Sequence, residues 1–175
     1  MNIIEFDGKI PNVHKSAKVF GSASIIGDVE VGEDSSVWFG SVLRGDLNRI
    51  VIGNRTNIQD LAIIHTYQPD GDMFPNGLGV NIGNDVTIGH RVILHACRIG
   101  NRCLVGMGSI IMDNVEVGDD CFITANSLLP KNRKYPPRSL ISGNPAKVVR
   151  PLIEKEIQNI QMEAALYVNL KNQYK

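Results

Sequence analysis

The chain has 175 residues, 18 Lys+Arg against 18 Asp+Glu, and 43% apolar residues. Zero net charge argues against a nucleic-acid binder that works by bulk basic charge, and the apolar share is too high for disorder. No run approaches the roughly 20 continuous apolar residues of a membrane helix, no basic segment followed by an apolar one marks a secretory signal, and three cysteines without a CxxC pair suit a reduced, cytoplasmic protein.

From the N-terminus an aliphatic residue recurs every six positions, at Val13, Val19, Ile25, Val31, Val37 and Leu43. The phase slips by three and resumes at Ile52, Ile58 and Ile64. After a gap it returns at Ile82, Ile88 and Leu94, then slips by one to Ile99, Val105, Ile111, Val117 and Ile123. A period of six is neither helical nor alternating. Each hexad reads as a short strand with a turn, the aliphatic pointing inward and a following glycine, as at Gly32, Gly53 and Gly118, allowing a tight corner. No hexad buries its own aliphatic, but coils stacked about 4.8 Å apart do. The run resembles the hexapeptide-repeat left-handed parallel β-helix, a prism with three hexads per coil, and its handedness follows from that resemblance. We therefore expect an all-β solenoid over residues 1–150, with the segment 66–79 extruded as a loop.

Chemistry-bearing residues break the pattern just after the aliphatic: Arg44, Gln59, His65 and His95. If Ile64 to Ile82 counts as one hexad with its loop extruded, then Arg44, His65 and His95 stack in one column on successive coils. Two imidazoles at coil spacing lean onto one metal. His90 lies around a prism corner, too far along the chain to join His95 on the same ion. A neighbouring chain would have to supply it, which predicts a metal site at a subunit interface of a cyclic assembly. Cys97 is set aside as a ligand because it sits two residues beyond His95. Cys103 and Cys121, one coil apart, read as stacked core thiols.

At the C-terminus, Ser142 to Pro151 reads as a closing element. Beyond it Ile153, Ile157, Ile160, Ala164 and Tyr167 follow helical spacing, with Pro151 suited to a first turn. The expectation is a helix over 151–175 packed on the prism.

The specific resemblance is to gamma-class carbonic anhydrases. It is carried by Arg44-Gly45-Asp46, Asn57-Ile58-Gln59-Asp60, His65 and the run Gly89 to His95. It implies a homotrimer with zinc on His65, His90 and His95, two from one chain and one from the next. It further implies Gln59 beside the metal-bound water, Arg44 and Asp46 as an intersubunit ion pair, and Tyr167 near the site. The implied reaction is reversible hydration of CO2 by metal-bound hydroxide, with Fe2+ or Co2+ as alternatives to Zn2+. Two departures bear on rate: Leu47 stands where well-characterised members have a glutamate, and the loop offers Asp70 and Asp72 but no Glu. Three other functions fit the same fold: a coenzyme A-dependent acyltransferase with a His base, a zinc-dependent thioester hydrolase, and a non-catalytic metal-binding protein.

Overall fold

A computed structural model describes residues 2–174. The expected inward aliphatics from Ile25 to Ile123 are all buried. Val13 and Val19 are half-buried, because their strands have a stacked partner on one side only. The coils form the left-handed parallel β-helix. Its first face runs through Val42–Ile52, Ile63–His65, Ile93–His95, Ile110–Ile111 and Leu128–Leu129. The second runs through Ser36–Val37, Asn57–Ile58, Thr87–Ile88, Leu104–Val105 and Phe122–Ile123. The third runs through the end of Val42–Ile52, then Val80–Ile82, Arg98–Ile99, Glu116–Val117 and Lys134–Tyr135.

The three-residue slip after Leu43 has a structural cause. Strands Ser24–Val31 and Val42–Ile52 run on through a prism corner and serve both the first and third faces, with a register shift between Gly27 and Val29. A Cβ at Gly27 would stand 2.5 Å from the Gly45 carbonyl oxygen, and one at Gly45 2.5 Å from that of Asp28, so glycine is required at both. Elsewhere the glycine reading needs correcting. The left-handed corner residue lies three positions after the aliphatic, not one, and is usually not glycine: Asp34, Arg55, Asp85, Arg102, Asp120 and Arg138 form one such column. Their charges alternate, and Arg55 binds Asp85 at 2.6 and 2.8 Å while Arg102 binds Asp120 at 2.6 and 3.0 Å. The glycine directly after the aliphatic answers to coil stacking instead. A Cβ at Gly53 would fall 2.5 Å from the Gly83 carbonyl oxygen of the next coil.

The six-residue period also runs further than expected. Leu129, Tyr135 and Ile141 continue it and are buried. The closing element is an antiparallel pair, Ser139–Gly143 with Ala146–Pro151. Pro151 thus ends a strand rather than opening the helix, and Ile153, at the N-cap, is 62% exposed. Helix α1, Glu154–Gln173, covers the second face through Ile157, Ile160 and Ala164. Its far end is tied down by buried Lys171, whose Nζ donates to the Ser16 carbonyl at 3.0 Å and lies 3.2 Å from Asp34. The segment 66–79 leaves the prism between His65 and Val80 as a short hairpin, with Tyr67 bridged to Leu78 and Asp70 to Phe74. Cys97, Cys103 and Cys121 lie in the core.

Candidate metal centre

Alternation in Ile63–His65 and Ile93–His95 buries the central Ile64 and Leu94 and turns the flanking residues outward. The two strands pair with His65 opposite His95, and Arg44 stands opposite His65 on the preceding coil. The expected column is formed. His65 Nδ1 lies 3.2 Å from His95 Nε2.

The other ring nitrogens meet carboxylates. His65 Nε2 is 3.0 Å from Asp46 Oδ1, and His95 Nδ1 bonds Asp113 Oδ1. Asp46 also accepts from Arg44 of the same chain, two residues away on one strand. The Arg44–Asp46 pair, expected between subunits, is thus made within one chain here. Asp113 Oδ2 lies 2.6 Å from Lys131 Nζ. Burial pushes both carboxyls up, but hydrogen bonds outweigh it and hold them below the usual range: Arg44 and His65 for Asp46, Lys131 and His95 for Asp113. Both are therefore ionised near neutrality and accept only, so the ring nitrogen facing each carries the hydrogen. Burial, partly offset by Asp46, lowers the His65 pKa and favours its neutral ring.

In the neutral rings that bind a metal, the two nitrogens that face each other are then both bare. Two lone pairs at 3.2 Å repel unless a cation lies between them. Nitrogens sharing one zinc at about 2.0–2.1 Å in a tetrahedron stand about 3.3 Å apart, so this half-site fits the ion.

The remaining predicted residues gather elsewhere. His90 follows Thr87–Ile88 on the second face, and its Nδ1 lies 2.9 Å from Asp60 Oδ2. His90, Gln59, Glu163 and Tyr167 line a cleft of about 290 Å³ floored by Leu104, Val105 and Phe122. Gln59 is buried and donates through Nε2 to Asn57 Oδ1 at 3.2 Å. Tyr167 meets Trp38 edge-on at 5.4 Å between centroids, and burial, then the charges of Glu163 and Asp60, raise its pKa. One chain thus carries two incomplete groups: Arg44, Asp46, His65 and His95 on the first face, and Gln59, His90 and Tyr167 on the second. Among the described residues no three His, Cys, Asp or Glu side chains of the chain converge where a metal would sit.

Residues 96–131 match the bacterial transferase hexapeptide (six repeats) family. The carbonic anhydrase of Geobacillus kaustophilus is 43% identical over 173 residues, covering 99% of this chain and 91% of that protein. The chain belongs to the gamma carbonic anhydrase family. The mitochondrial gamma carbonic anhydrase 2 of Arabidopsis thaliana is 40% identical over 97% of the chain, which spans 59% of that relative's length. A crystal structure of a hexapeptide transferase family protein from Anaplasma phagocytophilum superposes with a TM-score of 0.91 at 40% identity, covering 99% of this chain and 98% of that one.

For a member of the gamma carbonic anhydrase family, the sequence reading missed three contributors. Asp113 and Lys131 escaped it, although each stands 18 residues, one coil, beyond the last: His95, Asp113, Lys131. That spacing was the available signal. Tyr67 also escaped. Its ring packs edge-on to His95 with centroids 6.3 Å apart, and its hydroxyl donates to Asp70 Oδ2 at 3.0 Å.

Proposed function

We propose that three copies of the chain assemble around a threefold axis and hold a metal at each interface, and that the assembly catalyses reversible hydration of CO2. The observation that carries this reading is the approach of His65 Nδ1 to within 3.2 Å of His95 Nε2, with a third histidine, His90, one prism face away. His65 and His95 of one chain and His90 of the next would hold the ion. All three are backed by a carboxylate (Asp46, Asp113 and Asp60), the arrangement that orients imidazole ligands. The first face supports the assembly. Ile63, Ile93 and Ile110 stand in register on adjacent coils, point outward and are 46%, 38% and 39% exposed. An apolar ladder beside the half-site is what a second copy would cover. Buried, unpaired thiols suit a reducing compartment such as the cytoplasm. Among the described residues no helix is long and apolar enough to cross a membrane.

Zinc suits three neutral imidazoles, as do Fe2+ and Co2+, and such an ion makes a water nucleophilic near neutral pH. The chain's residues supply the rest. Gln59, its amide fixed by Asn57, orients water or a substrate oxygen by hydrogen bonding in the cleft beside His90. Asp46 and Asp113 accept from the outer ring nitrogens and keep the histidines aimed. Leu47, 42% exposed, offers no proton-accepting group directly after Asp46, which favours slow turnover. One observation favours a second reading: the cleft beside His90 has an apolar floor and exceeds what CO2 needs, as a zinc-dependent thioester hydrolase would require.

Metal analysis and stopped-flow hydration on the same zinc-loaded sample test the proposal. One zinc per chain with hydration above the buffer rate supports it. Zinc with thioester cleavage and no hydration favours the second reading. A metal-free protein that transfers acyl groups from coenzyme A overturns both.

A further inference from the structure

His95 needs its Nε2 lone pair free to act as a ligand, and a neutral imidazole places its hydrogen on either nitrogen with little intrinsic preference. Something must choose. We propose that Asp113, held in turn by Lys131, is a positioning residue that fixes His95 in the tautomer with hydrogen on Nδ1 and so presents Nε2 to the metal. The inference rests on the reading of His65 and His95 as ligands.

Three observations support it. His95, Asp113 and Lys131 are spaced by one coil each, so the solenoid stacks them without a special loop. The Asp113 side chain is 9% exposed and both its oxygens are engaged, Oδ1 by His95 Nδ1 and Oδ2 by Lys131 Nζ at 2.6 Å. Lys131, 52% exposed, reaches in from solvent and donates to Oδ2, which leaves Oδ1 aimed at His95 Nδ1. The carboxylate accepts only and has no hydrogen of its own to give Nδ1, so it selects one tautomer. A Lys131 that merely decorated the surface would have no such oxygen to hold.

The test reads the imidazole rings directly. Nitrogen-15 NMR of the metal-free trimer at alkaline pH should show His95 with a protonated-type Nδ1 and a bare-type Nε2. Asp113→Asn keeps the shape but lets the amide either donate to Nδ1 or accept from it, so the His95 signals should move toward a tautomer mixture. Zinc affinity, measured by chelator competition, should fall about 10–100-fold. Lys131→Met leaves Asp113 in place and should give a smaller shift in the same direction, and it decides the matter if Asp113→Asn does not fold. A wild-type His95 with its hydrogen on Nε2 overturns the proposal. So do variants whose ring signals and zinc affinity match wild type, which would leave the shared-site reading standing. The ring measurement needs no metal, so a wild-type protein that binds no zinc overturns that reading while the positioning of His95 is still decided.

Discussion

The first and third faces of the prism both turn buried apolar side chains inward, and they differ most in what they carry outward. Strand Val42–Ile52 serves both, and Ile64 and Ile82, successive inward residues on the two faces, are each about fully buried. Outward, the first face carries Ile63, Ile93 and Ile110 beside His65 and His95. The third carries Asn81, Arg98, Glu116 and Lys134 in one register, with Lys134 and Glu116 paired at 3.0 Å. The inward positions of the repeat specify the fold, whereas the outward positions specify what each face meets. A solvated charge ladder needs no partner; an aliphatic ladder flanking half a metal site does.

The sharpest way to break this contrast is a charge on the apolar ladder. Ile93→Asp should dissociate the assembly and remove its metal, since each copy would lose about 1.5–3 kcal/mol of apolar burial and gain a desolvated carboxylate. Glu116→Gln, in the same register position on the third face, should change neither. Sedimentation with metal analysis of both variants checks the pair, and equal behaviour would erase the distinction between the faces. Inward substitutions sharpen it from the other side. Ile64→Ala and Ile82→Ala should each cost about 2–5 kcal/mol of stability, and by similar amounts, because both leave cavities in one continuous core. Denaturant unfolding reads this, and a large inequality would mean that the faces differ inside as well.

The smallest effect concerns the helix-covered second face. The Arg150 guanidinium, with the Ile153 backbone N–H, holds the Glu156 carboxyl down to about 2 from an ordinary 4.5. A depressed carboxyl stabilises the fold above its unfolded pKa, and that contribution is lost as pH falls from about 4.5 toward 2. The first turn of α1 should therefore loosen across that window, seen as earlier loss of amide protection there than in the prism, and Glu156→Gln should remove the pH dependence. The Glu156 side chain is still 29% exposed and solvent screens the pair, so a slight change is expected.

The fold was legible because an inward aliphatic at every sixth position leaves a periodic trace that corner loops do not erase. The extruded hairpin after His65 could be counted out, and the column of Arg44, His65 and His95 followed. What stayed hidden had no period or the wrong residue type. Tyr135 fills an aliphatic slot with an aromatic ring, and Pro136 and Pro137 disguise the coil beyond it. The corner conformation falls to Asp, Asn and Arg as readily as to Gly, so glycine marked coil stacking rather than turning. Pro151 fits a strand end as well as a helix start. Asp113 and Lys131 look like ordinary surface charges until the 18-residue stacking places them against His95.

The central claim, that each metal belongs to two chains, is tested most directly by mixing two defective ones. A His90→Ala chain and a His65→Ala/His95→Ala chain should each form trimers that bind no zinc. Co-assembled from a common unfolded pool, they should recover zinc, because a chain that keeps His65 and His95 then sits beside one that keeps His90. Mixed trimers that remain free of zinc while each variant stays trimeric would contradict the shared site.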